Sequence, residues 1–339
     1  MIDLRSDTVT KPTPAMLQAM MTAAVGDDVF HEDPTVQKLE NYLAELFGQE
    51  AGLFCPSGTM CNQIAMKVHT QPMDEIICDK LSHVYYYETG GYAFNSGCSI
   101  RLIDGDRGRI TAQQILDNIQ ADYDWLPVSK LVVVENTCNK GGGAIYAIEE
   151  LQKISAVCRE KGLKLHLDGA RMFNALVASQ TNAKDYHNLF NSISICLSKG
   201  LGAPIGSVLL GDKAFIKRAR KVRKAFGGGM RQVGLLAAAG LYALKNNVER
   251  LEEDHANAWF LAEELNKLPY VSSVIPPETN IVIFDVVSSV NPVDLIAYLE
   301  KYGIRVVQFG PKSIRMVTHL DVNREQLEEV VRCMEGFRQ

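Results

Sequence analysis

No stretch of this sequence is apolar enough, for long enough, to cross a membrane. The longest run, Val233-Gly-Leu-Leu-Ala-Ala-Ala-Gly-Leu-Tyr-Ala-Leu244, falls short of the roughly 20 residues a spanning helix needs and reads as a buried helix. Positive charge is not in excess either. Lys and Arg number 35 against 40 Asp and Glu, a net charge of −5, so there is no general coat for a nucleic-acid backbone. None of the eight cysteines forms a C-x-x-C pair, and most fall in apolar segments; they read as reduced thiols, which points to the cytoplasm. The opening Met1-Ile-Asp-Leu-Arg-Ser-Asp7 is polar and acidic, unlike a secretory or transit segment. Also missing are G-x-x-x-x-G-K-[ST] and G-x-G-x-x-G, the usual signals of nucleoside triphosphate and dinucleotide binding.

What remains is an ordinary globular composition, 47% hydrophobic and 22% charged, in 339 residues, long enough for a large domain and a smaller one. Helical spacing covers residues 16–24 and 34–47, the second opened by Asp33 as cap and Pro34 in the first turn. Strands and helices then alternate, which predicts an α/β fold with a mostly parallel sheet between helices. The continuous apolar run Leu131-Val-Val-Val134 fits a strand covered on both faces. Segments 192–197 and 205–210 both read as strands but lie too close for a parallel crossover, so this pair should be antiparallel and the sheet mixed. An acid-rich helix over 247–268 looks like the connector to a smaller α+β domain. The expected division is 1–246 and 247–339.

Four segments could carry chemistry. Ser57-Gly58-Thr59 joins a strand end to a helix start, where free amides and the positive end of the helix dipole suit a phosphate; a capped turn is the plain alternative. Asp168 in His166-Leu-Asp-Gly-Ala-Arg171 ends a buried strand, at the edge where ligands of open α/β sheets gather. A buried carboxylate needs a cation, which could be Arg171, a metal shared with His166, or a protonated ring nitrogen; no third metal ligand is evident, and none is expected. Lys199 in Ser198-Lys-Gly-Leu-Gly202 follows an apolar strand, where a half-buried amine can form a Schiff base; a solvated loop lysine is the alternative. Lys224-Ala-Phe-Gly-Gly-Gly-Met-Arg231 sets glycines between cations, as an anion site or a hinge. Taken together, a Schiff-base lysine, a carboxylate for a pyridinium and a phosphate cradle are the parts that bind pyridoxal phosphate.

The chain resembles the low-specificity L-threonine aldolases over nearly its whole length. The resemblance is carried by Asp3-Leu-Arg-Ser-Asp-Thr-Val-Thr10, Val25-Gly-Asp-Asp-Val29, Asp33-Pro-Thr35, Ser57-Gly-Thr59, His83, Glu135-Asn-Thr137, His166-Leu-Asp-Gly-Ala-Arg171, Leu197-Ser-Lys-Gly-Leu-Gly202, Gly227-Gly-Gly-Met-Arg231 and Val317-Thr-His-Leu320. It implies the pyridoxal-phosphate fold of the aspartate aminotransferase type and cleavage of L-threonine or L-allo-threonine to glycine and an aldehyde. Within that family pattern Lys199 is the Schiff-base lysine, Asp168 holds the ring nitrogen, and His83 stacks on the ring and is a candidate for proton transfer. Gly58 and Thr59 hold the phosphate, joined by Arg231 and Lys224 of a neighbouring subunit. Ser6, Arg171 and Arg315 bind the substrate carboxylate. The same resemblance implies a homotetramer with sites shared across an interface.

The chain departs from the family pattern at Trp125, where relatives carry a histidine near the β-hydroxyl, and at Cys138 and Tyr87. These positions bear on the threo or erythro preference and on the aldehyde accepted, including aryl substrates such as phenylserine. Elimination, transamination and racemisation are the rival reactions on the same scaffold.

Overall fold

The computed structural model describes residues 1–338. Its main layer is a seven-stranded sheet. The strands lie in the order Ala51–Cys55, Ser207–Gly211, Ser192–Cys196, Lys164–Gly169, Val128–Glu135, Asp74–Asp79, Ser99–Ile103. All run parallel except Ser207–Gly211, which is antiparallel to both neighbours. The short link from Cys196 explains this, because it leaves no room for a crossover helix.

Helices cover both faces. Along Val128–Glu135, Val132 and Val134 enter the largest apolar core while Leu131 and Val133 enter a second one on the opposite face. That alternation is why the run is apolar at every position; each buried valine or leucine contributes about 1.5–3 kcal/mol. Among the described residues no helix is long and apolar enough to cross a membrane.

A four-stranded antiparallel sheet, Val307–Gln308, Ser313–Val317, Ile281–Val286 and Val271–Ile275, forms the second layer system. The helix Leu251–Leu265 joins the two: Leu251 belongs to the large core, while Ala258, Leu261 and Leu265 belong to the core of the small sheet. The extreme N-terminus differs from the sequence expectation. Ile2–Asp3 pairs with Ile304–Arg305, and Ile2 and Leu4 pack in the small-sheet core although they lie in the 1–246 segment. This strand carries Ser6 and Asp7 across to the large sheet.

Several elements escaped the sequence patterns. Lys213–Ala225 is a helix whose charged outer face masks its apolar stripe. His83–Tyr86 is a single turn, too short to show a period.

Candidate active site

Five loops meet at the carboxyl edge of the parallel strands. Ser57 caps the helix Gly58–His69, its Oγ accepting from the Met60 amide at 3.2 Å. The amides of Gly58 and Thr59 precede the helical ladder and have no protein acceptor among the described residues. Position 58 must be glycine: a Cβ there would lie 2.5 Å from Cys196 Sγ. Gly58, Thr59, His83, Asp168 and Lys199 line one cavity of about 180 Å³. His83 and Lys199 also line an adjoining cavity of about 430 Å³, together with Ser6, Arg171 and Arg315.

The partner of Asp168 is the key question. Arg171 is not that partner, since its Nε and Nη2 both donate to Asp7 at 2.7 Å. Burial would raise the Asp7 carboxyl, but the Arg171 charge outweighs it and holds Asp7 far below the usual carboxylate range. His166 is not free for a metal either. Its Nδ1 meets Ser192 Oγ at 2.8 Å and its Nε2 meets Asn62 Oδ1 at 3.0 Å. Asp168 itself accepts only from Asn62 Nδ2 at 2.8 Å and from the Ala170 amide at 3.1 Å. It is therefore a buried carboxylate with no cation among the described residues. Of the three partners open at the sequence level, the structure leaves a ligand-borne cation facing this cavity.

Asn62 went unnoticed in the sequence. Its amide nitrogen bridges Asp168 and Glu88 Oε1, each at 2.8 Å, and Glu88 Oε1 meets His83 Nδ1 at 2.9 Å. Donor atoms of His83, Glu88 and Asp168 lie within 4.8 Å of one another, and this amide ties the two carboxylates together. The only sequence signal for Asn62 is its place one turn after Gly58. A carboxylate only accepts, so His83 donates from Nδ1 and, when neutral, keeps Nε2 as its free lone pair. Burial would lower the His83 imidazole, yet the Glu88 hydrogen bond and the charges of Asp168, Glu135 and Glu88 raise it overall. Glu135 accepts from the His83 and Asn139 amides, and burial with repulsion from Asp168 pushes it up to about 7.

Behind Asn62 the network continues through His166 and Ser192 to His69. Asn62 Oδ1 can only accept, so His166 carries its proton on Nε2 and accepts from Ser192. Burial drives His69 down to about 3 and His166 down to about 4, from 6.5. Unfolded, both would take up a proton below about pH 6.5; folded, they resist it. Stability is thus whole above that pH and falls as pH drops toward 4, by up to about 1.4 kcal/mol per unit for each histidine. Urea unfolding midpoints at pH 7 and pH 5 in the wild type and in His69→Gln measure this, because raised Glu135 acts in the opposite sense in both proteins; the fall toward pH 5 should be smaller in the variant, and an equal fall would contradict it.

Arg315 completes the larger cavity. Nη1 donates to Asn139 Oδ1 and Nη2 to the Arg5 carbonyl, both at 3.0 Å, while buried Nε has no partner. Burial and the nearby Arg171 charge lower Arg315 to about 10, so the site favours an incoming anion. Arg171 retains only Nη1 for such an anion. Ser6 Oγ caps the next turn, accepting from the Thr8 amide at 3.2 Å.

Two expected residues lie elsewhere within this chain. Arg231 is exposed and pairs with Asp27 at 2.9 Å. Lys224 lines a separate surface groove with Lys217 and Lys221. Trp125 is also remote from the cavity lining: it is 76% exposed and stacks on Tyr123 at 4.8 Å. Tyr87 does line the larger cavity, 5.4 Å from the His83 ring, whereas Cys138 is buried with its thiol on the Glu135 carbonyl.

The residues fit pyridoxal phosphate in charge and in kind. Asp168 lacks a cation, the Gly58 and Thr59 amides lack an anion, and a lysine, Lys199, lines the same cavity.

Comparisons with known proteins agree. The beta-eliminating lyase family model matches residues 3–289. The low specificity L-threonine aldolase of Escherichia coli (strain K12) is 45% identical over 338 residues, covering 99% of both chains. The probable low-specificity L-threonine aldolase 2 of Arabidopsis thaliana is 42% identical, covering 98% of this chain and 96% of its own. In fold, the Leishmania major threonine aldolase superposes with a TM-score of 0.87 at 23% identity, covering 99% of each chain.

Proposed function

This chain belongs to the low-specificity L-threonine aldolase family, and from that premise we propose which of its residues perform each part of the reaction. The enzyme is a pyridoxal-phosphate-dependent carbon–carbon lyase that cleaves L-threonine to glycine and acetaldehyde. Bound there, pyridoxal phosphate supplies an aldehyde that condenses with amines and a protonated ring that accepts the electron pair released at Cα.

Lys199 Nζ is the amine that attaches the coenzyme. Asp168 keeps the ring nitrogen protonated, and the cation-free setting of that carboxylate is the observation that carries the reading. The Gly58 and Thr59 amides hold the phosphate. Arg315, through its unpartnered Nε, holds the substrate carboxylate with Arg171 Nη1 and Ser6. Fixing that carboxylate would set the rotation about Cα–N and so select which bond at Cα is cleaved. His83 would lie against the ring and its Nε2 would take the β-hydroxyl proton, while Glu88 holds the imidazole at Nδ1.

His83 as base makes kcat/KM rise with pH through an ionisation above 6.5, the ordinary histidine value. Replacing Glu88 with Gln removes one of the interactions that raise it, so this acidic limb moves to lower pH. Replacing His83 with Asn removes the limb and lowers kcat by about 10²–10⁴-fold. An acidic limb that stays in place in both variants excludes His83.

Lys224 and Arg231 fit the same scheme if they reach the phosphate of a neighbouring subunit in a homotetramer. Their exposure supports this, as do exposed Leu235 and, on the helix Pro14–Met21 that packs against Gly234–Asn246, exposed Leu17 and Met21. A domain division near residue 246 is supported by the two separate cores, although Leu251 still packs in the larger one and the first residues join the smaller one. Eight unpaired cysteines support a cytoplasmic location.

The test is a visible spectrum of the purified protein followed by assays on L-threonine, L-allo-threonine and phenylserine. Glycine with acetaldehyde is expected from L-threonine; 2-oxobutanoate with ammonia would mean elimination instead.

A further inference from the structure

The larger cavity holds one more cation than threonine cleavage uses. Arg171 is committed to Asp7, Lys199 to the coenzyme and Arg315 to the substrate carboxylate. Lys140 also lines this cavity and has no ion pair or hydrogen-bond acceptor for its side chain among the described residues. Its Nζ is held by aromatic faces alone, 4.0 Å from the Tyr86 centroid, 4.7 Å from Phe309 and 5.9 Å from Tyr87. Such faces orient an ammonium group but do not neutralise it.

The backbone around Lys140 is pinned. The Asn139 amide donates to Glu135 Oε1 at 2.9 Å, and the Gly141 carbonyl accepts from Arg107 Nε at 2.8 Å. Gly141 has no room for a side chain, since a Cβ would meet the Arg107 carbonyl at 1.9 Å. Asn139 also holds Arg315 by its side chain. Adjacent residues thus serve both cations of one cavity. The Phe309 ring measures the span: Arg315 Cζ and Lys140 Nζ each lie 4.7 Å from its centroid, so they are separated by at most twice that distance.

We propose that Lys140 is an anion subsite for the group on Cβ, and that the enzyme accepts β-hydroxy amino acids whose Cβ carries a carboxylate, of which 3-hydroxyaspartate is the simplest. The two carboxylates of that substrate are separated by two carbons, a length that this upper limit admits. This rests on the aldol-cleavage reading and extends it to a second substrate class. The Cα–Cβ bond breaks, the β-hydroxyl loses its proton as the carbonyl forms, and Cα gains a proton. The products are glycine and glyoxylate, with no oxidant or reductant needed.

The test compares kcat/KM for 3-hydroxyaspartate and for L-threonine in the holoenzyme, in Lys140→Met and in Lys140→Arg. The ratio of the two should fall by about 10-fold or more in Lys140→Met and recover in Lys140→Arg, as for the loss of one charge-assisted contact. Calorimetry supplies a readout free of turnover: succinate should bind the holoenzyme more tightly than butyrate, and Lys140→Met should erase that advantage. A ratio unchanged within about twofold in Lys140→Met, with succinate binding no better than butyrate, overturns the proposal. Holoenzyme that cleaves neither substrate overturns the aldolase reading instead, and succinate binding then still decides the role of Lys140.

Discussion

A Lys199→Ala protein is expected to lose the visible absorbance of the lysine-bound coenzyme and to lose turnover by more than about 10⁴-fold, because the change removes the covalent attachment of the coenzyme. The coenzyme should then leave on dialysis. The side chain makes no ion pair among the described residues, and the Thr10 hydroxyl bonds to the Lys199 carbonyl, which alanine keeps. The unfolding midpoint should therefore stay near that of the wild type, within about 0.5 kcal/mol. Activity lost with the fold intact reads out chemistry. Borohydride reduction of the wild-type holoenzyme should place the label on the peptide containing Lys199. If the alanine variant kept its visible band, another amine would hold the coenzyme and the assignment would fall.

The second large effect is expected at Asp168. An Asp168→Asn protein keeps the shape of the side chain but cannot supply the charge that holds a ring nitrogen protonated. Coenzyme affinity should fall by about 10²-fold or more, and kcat by about 10²–10³-fold at saturating coenzyme. The visible maximum should also shift, since the ring would no longer be held as a cation. The Asn62 contact can survive, because the asparagine oxygen can still accept its amide proton. The loss then reports charge rather than collapse of the network. Wild-type kcat in this variant would mean that the ring proton is held by some other group.

The chemistry-bearing residues were legible because each stands at a punctuation point of the chain. Asp168 ends an apolar strand, Lys199 follows one, and Ser57-Gly58-Thr59 turns a strand into a helix. Such junctions show in the local pattern of one short segment. Arg171 illustrates the limit. Its guanidinium looked free for a carboxylate or for Asp168, but its partner is Asp7, 164 positions away on a segment anchored by the opposite domain. Asn62 and Glu88 were invisible for a related reason. Asn62 on a helix and Glu88 in a bend are ordinary polar residues until the fold shows that they face a strand end. Trp125 went the other way: family pattern set it near the substrate, and within this chain it lies on the surface.

By itself, the amino-acid sequence determined the alternation of strands and helices, the single antiparallel strand and the lysine, aspartate and glycine that line one cavity, because apolar period, loop length and turn chemistry are properties of adjacent residues. Only the tertiary structure decided which charges remain unpaired. Whether Arg171, Arg315, Asp168 or Lys140 is free depends on which groups reach it from distant segments, and a buried charge is free for a ligand only where no such group arrives.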